Sequence, residues 1–180
     1  MKKAEARKKY LLIRKNIENK NLKDDIIFNV VINLIKLKSF KNIGIYYSLK
    51  TEVDTHKIIN YLLLNNINVY LPSVNEDYSL SFYKIDSIND LVFNENFKVY
   101  EPNKRKEKML SNINQLDIIF LPLVAFNSSY YRIGMGKGCY DRTLFNYNNL
   151  KIGLAYREQK LKEVVKFDTF DLKLDAVIND

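Results

Sequence analysis

Across 180 residues there is one cysteine, one histidine, no tryptophan, three prolines and five glycines. One cysteine excludes an internal disulfide, and one histidine excludes a His-rich metal cluster; both fit a reducing cytoplasm. The longest apolar run, Ile118 to Phe126, is interrupted by Pro122. A bilayer span needs about 20 residues, so this run reads as a buried strand and no membrane partner is expected. The basic N-terminus has an apolar stretch only from Tyr10 to Ile13 before Arg14, too short for a signal-peptide core. Thirteen tyrosines beside many lysines, asparagines and isoleucines read as base-composition bias and carry no functional signal.

The remaining composition, 47% hydrophobic and 28% charged, is that of an ordinary globular protein. A chain of this length is most simply one domain over 1–180, burying about 70% of its unfolded surface. The net charge of +8 is unevenly placed. Residues 1–23 carry nine basic groups against Glu5 and Glu18, a local +7 that leaves the rest near +1. A nucleic-acid-binding module using a basic first helix is therefore the alternative to weigh. A general nucleic-acid surface would spread its charge over the fold, so no nucleic-acid partner is expected.

Residues 2–20 read as a helix whose stripe is Ala6, Tyr10, Ile13 and Ile17, with Lys3, Arg7 and Arg14 close beside it. Asp24 is the expected N-cap of a second helix, in which Ile26, Ile27, Val30, Val31, Leu34 and Ile35 recur at helical spacing. Strands then alternate with helices. Ile43 to Tyr47 reads as a strand, Asp54 or Thr55 caps a helix to about Leu64, and Val69 to Leu71 is a strand stopped by Pro72. Leu80 to Ile85 and Asp117 to Leu121 read as strands around a polar surface excursion over 86–114. A helix over about 138–147 and strands at Ile152 to Ala155 and Leu174 to Ile178 complete the pattern. Such alternation predicts an α/β fold, with loops at the carboxyl ends of the strands facing one cleft.

Three of the five glycines fall within five residues, in Arg132-Ile-Gly-Met-Gly-Lys-Gly-Cys-Tyr-Asp141. Glycine opens positive φ and lets backbone N–H groups approach a ligand. Arg132 and Lys137 supply positive charge, and Asp141 follows one helical turn after Lys137. Phosphate oxygens and a divalent cation are the chemistry such a loop serves. The spacing departs from a dinucleotide fingerprint, which needs two residues between its second and third glycines. It also departs from a Walker A loop, because Tyr131 and Gly138 stand where a glycine and a Ser or Thr are required.

Taken with its flanks, this run resembles the 5-formyltetrahydrofolate cyclo-ligase, or methenyltetrahydrofolate synthetase, family. Leu116 to Phe126 followed by Arg132 to Arg142 looks like the family's strand, proline and Arg-Leu-Gly-x-Gly-x-Gly-Tyr-Tyr-Asp loop. Lys3 and Arg7, Tyr47 to Thr55, Ala155-Tyr-Arg-Glu-Gln159 and Leu174-Asp-Ala-Val177 match further segments in order. There are departures: Asn127 stands where the family usually has Asp, Met135 where Arg can occur, and Cys139 replaces the first aromatic of the Tyr-Tyr pair.

The resemblance implies a three-layer α/β/α fold with a mostly parallel sheet, similar to the NagB/RpiA/CoA-transferase-like fold. It implies ATP as co-substrate, Mg²⁺ and a monomeric cytoplasmic enzyme acting on small molecules. It also implies residue roles. Lys3, Arg7, Arg132, Gly134, Gly136, Lys137, Gly138 and Tyr140 would hold the nucleotide, with Lys137 nearest the transferred phosphoryl. Asp141 and Asp175 would be the magnesium carboxylates. Glu52 would contact the folate and handle a proton, with Tyr47, Met135 and Cys139 beside the substrate. His56 and the Cys139 thiol have no matched partner and are expected to do no chemistry. A sugar-phosphate isomerase or CoA-transferase-like protein is the competing enzyme class, and it would bind no ATP.

Overall fold

The computed structural model describes residues 1–180. Two helices open the chain, α1 (Lys3–Lys15) and α2 (Lys20–Lys38). They are followed by β1 (Asn42–Gly44), α3 (His56–Leu64), β2 (Asn68–Val74) and β3 (Leu80–Ile85). Next come β4 (Leu91–Asn94), β5 (Val99–Pro102), β6 (Ile118–Pro122), β7 (Ala125–Phe126) and β8 (Arg132–Ile133). The chain ends with α4 (Cys139–Thr143), β9 (Leu150–Leu154) and β10 (Ala176–Ile178). Six strands form the central sheet in the order β10-β9-β6-β1-β2-β3, parallel except for β3. This is the mixed α/β architecture, with a mostly parallel sheet and four helices, that the alternation predicts.

The apolar run in β6 is unbroken because both faces of the sheet are covered. Ile118 and Phe120 pack with Ile43, Val69 and Ile152 beneath α2 and α3. Ile119 and Leu121 point the other way, into a second core with Leu116, Leu144, Tyr147 and Leu174. That second face is covered mostly by irregular chain, since α4 has only five residues. The expected helix over 138–147 stops at Leu144 so that Leu144 and Tyr147 can both turn inward, the Tyr147 hydroxyl donating to Leu116 O at 3.1 Å.

Other boundaries differ for local reasons. The first helix ends at Lys15, and Asn19, at φ 51°, starts α2 in place of Asp24. Asp24 is instead a buried junction: it accepts from the Tyr156 hydroxyl at 2.6 Å, Asp54 N at 3.1 Å and Lys20 Nζ at 2.6 Å. Strand β2 runs through Pro72, whose missing donor faces past the end of the three-residue β1 and breaks no ladder bond there. The 86–114 excursion contains the β4–β5 hairpin.

Two glycines keep the second core tight: a Cβ at Gly44 would lie 2.9 Å from both Ile119 Cγ1 and Leu116 Cδ1. A Cβ at Gly153 would lie 2.7 Å from both Leu123 Cδ2 and Leu174 Cδ1. Gly153→Ala is therefore expected to cost about 1–3 kcal/mol by overpacking. A thermal melt should show Tm lower by several degrees, and an unchanged Tm would mean that the two leucines yield freely.

Candidate active site

The strand carboxyl ends open onto a cleft of about 760 Å³, and α1 lies along it. Lys3, Arg7 and Arg14 all line this cleft, as do the segment after β1 and the glycine loop after β8. Residues 3 to 14 of a helix span about 16 Å, so one helix face reaches from the glycine loop to the deep end.

At the loop, Gly136 has φ +99° and Gly138 φ +68°, left-handed backbone that glycine adopts without strain. Gly138 sits at the start of α4. Arg7 Nε donates to Gly134 O at 2.8 Å, and its guanidinium lies 3.1 Å from where a Gly136 Cβ would stand. Any side chain at Gly136 would thus meet both a backbone penalty and Arg7. Lys137 is exposed at the rim, its Nζ 5.2 Å above the Tyr78 ring, and forms no ion pair. Met135 is exposed, whereas Cys139 packs partly into the second core. Burial pushes the Cys139 thiol up, which suits packing and not nucleophilic attack.

Arg132 lies beneath the loop and does not point out of it. Its side chain is 4% exposed, Nη2 donates to Asp141 Oδ2 at 3.1 Å, and the guanidinium sits 5.3 Å from the Tyr140 ring. Its Nε is buried without a partner. Asp141 Oδ1 accepts from Leu172 N at 2.9 Å, so this carboxylate ties the loop to the segment before β10. Each Asp141 oxygen accepts one bond of the two its lone pairs allow, leaving room for a hard cation. Desolvation holds the Tyr140 hydroxyl well above its ordinary range, so it stays neutral.

Across the cleft, Lys3 Nζ donates to Asp168 Oδ2 at 2.7 Å and to Asp171 Oδ2. Asp171 therefore lines the cleft, and Asp175 does not. Asp175 accepts from Lys151 N at 2.7 Å at the amino end of β9, where the parallel register places β10's start as well. The structure does not bring Asp175 to Asp141 as expected: Asp141 lines the cleft at the carboxyl ends of the strands, whereas Asp175 lies at the amino end of β9. The reason is that residues 172–175 cross the second core, Leu172 and Leu174 being buried, before β10 begins.

At the deep end, Glu52 is 7% exposed. Its Oε1 accepts from Arg14 Nη1 at 3.2 Å and its Oε2 from Leu49 N at 2.9 Å. Burial raises the Glu52 carboxyl above its ordinary range, and Arg14 opposes that rise. Tyr47 stacks on His56 at 3.9 Å, and His56 Nε2 lies 3.1 Å from Ser48 O, so the lone histidine supports a wall of the cleft. The β4–β5 hairpin continues that wall with Phe97, Tyr100 and buried Glu101, the Tyr100 ring lying 5.9 Å from that of Tyr47. Sequence reading missed this wall, because the excursion carries no periodic pattern, and missed Asp171, whose partner Lys3 lies 168 residues away in the chain.

The basic excess of residues 1–23 is largely spent within the fold. Lys9 pairs with Glu163, Lys20 with Asp24, and Lys23 with Glu158 and Asp180, while Arg14 is buried on Glu52. Only Lys2, Lys8 and Lys15 stay in water without a bonded partner. No helix is long and apolar enough to cross a membrane.

Comparison with known proteins agrees with this architecture. The family model for the 5-formyltetrahydrofolate cyclo-ligase family matches residues 1–180. The chain is 37% identical over 137 residues to the 5-formyltetrahydrofolate cyclo-ligase of Haemophilus influenzae, covering 74% of this chain and 73% of that one. It is 32% identical over 166 residues to that of Mycoplasma genitalium, covering 91% and 87%. Its fold is similar to a 5,10-methenyltetrahydrofolate synthetase structure from Mycoplasma pneumoniae, with TM-score 0.80, 30% identity and coverage of 100% and 99%. The Aquifex aeolicus 5,10-methenyltetrahydrofolate synthetase gives TM-score 0.82 at 30% identity, covering 97% and 88%. The chain belongs to the 5-formyltetrahydrofolate cyclo-ligase family.

Proposed function

We propose that this protein closes 5-formyltetrahydrofolate to 5,10-methenyltetrahydrofolate, driven by conversion of ATP to ADP and phosphate. The observation that carries the reading is one cleft with a cationic glycine loop at its mouth and a buried carboxylate, Glu52, at its deep end. Two substrates of opposite character, a polyanion and a flat heterocycle, suit those two ends. A formyl oxygen leaves poorly until it is phosphorylated. It takes the γ-phosphoryl group as the bond to the ADP oxygen breaks, nitrogen ten attacks the formyl carbon, and the carbon–oxygen bond then breaks to release phosphate. The nitrogen loses its proton in the process.

Such phosphoryl transfer depends on positioning and charge stabilisation. Lys137 stabilises the transferred group, and Gly134, Gly136 and Gly138 let main-chain N–H groups approach the phosphates. Lys3 and Arg7 grip the phosphates from α1. Arg132 and Tyr140 hold the loop's shape from beneath. Glu52 orients the folate and accepts the proton, with Tyr47, Met135 and Cys139 along the substrate path. Mg²⁺ typically uses one or two carboxylates with waters and phosphate oxygens, neutralising phosphate charge when bound; Asp141 is the carboxylate suited to it. The kinship of the sheet with sugar-phosphate isomerases and CoA-transferases, a single domain, a monomeric state and cytoplasmic action are parts of the same reading.

The test is a spectrophotometric assay: protein, ATP, Mg²⁺ and 5-formyltetrahydrofolate together should generate the methenyl chromophore, and omission of ATP should abolish it. Absence of the chromophore with folded protein would reject the reading. A second expected result concerns α1: Lys3→Ala with Arg7→Ala raises KM for ATP about tenfold or more and KM for folate little. Equal rises for both substrates would refute the division of the cleft.

A further inference from the structure

We infer that Arg14 is the positioning residue for Glu52, fixing its carboxylate in one orientation and in the ionised form at the deep end of the cleft. The inference rests on the proposed cyclisation, because Glu52 is the group to which that reading gives the proton. Its basis is geometric. Arg14 is the last of the three cations on the cleft-facing side of α1, and it is 4% exposed while Lys3 stays partly open to solvent. Its Nη1 reaches two acceptors from different segments, Glu52 Oε1 at 3.2 Å and Leu123 O at 3.1 Å.

The rest of the guanidinium has no protein partner, and Nε is buried and unsatisfied. A long, buried arginine with an unmade hydrogen bond costs stability, so packing alone does not explain it. The Leu123 carbonyl does not need it either, since Gln159 Nε2 already donates there at 2.9 Å. What Arg14 uniquely supplies is positive charge beside a buried carboxylate. Every other element packed on Glu52 supplies less. Lys20 of α2 acts only at a distance, Tyr46 and Tyr140 are neutral hydroxyls whose charged forms would repel Glu52, and Leu49 contributes a backbone N–H. The Tyr156 hydroxyl bonds Glu52 O, not the carboxylate, and is shared with Asp24.

The sign follows directly. Burial favours the protonated carboxyl and Arg14 favours the carboxylate, so removing the cation raises the Glu52 pKa further. In the full-length enzyme, Arg14→Gln should move the acid limb of the kcat/KM profile for 5-formyltetrahydrofolate upward by about one to three pH units, the range of a close opposite charge. KM for ATP should stay within about twofold, and Arg14→Lys should return the limb most of the way. A merely structural arginine would lower activity by the same factor at every pH. An Arg14→Gln enzyme that stays folded and keeps the wild-type limb would overturn the inference. If Arg14→Gln does not fold, the Glu52 carboxyl titration followed by carbon NMR in wild type and in Arg14→Met, which keeps a buried apolar stem without the charge, decides it, with identical titrations counting against. A wild-type enzyme that makes no methenyl product would instead defeat the cyclisation reading, so the two failures are told apart.

Discussion

Lys137→Ala is expected to lower kcat for methenyl formation about 10²- to 10³-fold, the usual loss when one preorganised donor to developing charge is removed. The size of the effect follows from its surroundings. Lys137 is the loop cation that reaches the rim without an ion pair, because Arg132 beneath it is committed to Asp141. No neighbour can replace it in place. The fold should be unaffected, since Lys137 is exposed, forms no ion pair and sets its ammonium over the Tyr78 ring at 5.2 Å. A cation over a ring at an exposed site contributes only about 0.5–1 kcal/mol. Steady-state kinetics beside a thermal melt check both halves. Near-wild-type kcat would show that the phosphoryl group is transferred elsewhere in the cleft.

Arg132→Met tests the opposite kind of residue, one whose charge is turned inward. Removing one partner of a buried ion pair costs about 3–5 kcal/mol, and Asp141 here is partly exposed, so about 3 kcal/mol is expected. For a chain of this size that lowers Tm by about 10 °C. Nucleotide affinity should fall with it, because Asp141 would lose the contact that aims it while keeping the bond from Leu172 N. Thermal melts with and without Mg-ATP measure both effects. Unchanged Tm would mean that the loop holds its shape without the pair, and that Arg132 is not a support. The same result would restore it as a candidate for direct phosphate contact.

The elements with strong periodicity were legible. The apolar run of β6, the alternating β3 and the capped α3 fall where the pattern puts them, because burial of one or both faces dictates side-chain spacing. The glycine loop was legible for a different reason: a chain with five glycines that places three in one loop is specifying backbone conformations that other residues resist. The Lys3 and Arg7 spacing on one helix face also stood in the sequence.

Other features depend on partners distant in the chain. Asp24 reads as a cap because Asp is a good cap, and nothing local announces that Tyr156 arrives 132 residues later to bury it. Asp175 and Asp171 sit four residues apart, yet the packing of Leu172 and Leu174 sends them to opposite ends of the strands. Arg14 reads as one more lysine-rich helix cation until Glu52 is placed against it. Local spacing thus determined which residues form helices, strands and the phosphate-type loop, since those depend on near neighbours and on backbone freedom. Tertiary packing decided which charges meet, which are buried and which face the cleft, because electrostatic roles depend on distances that no one-dimensional spacing contains.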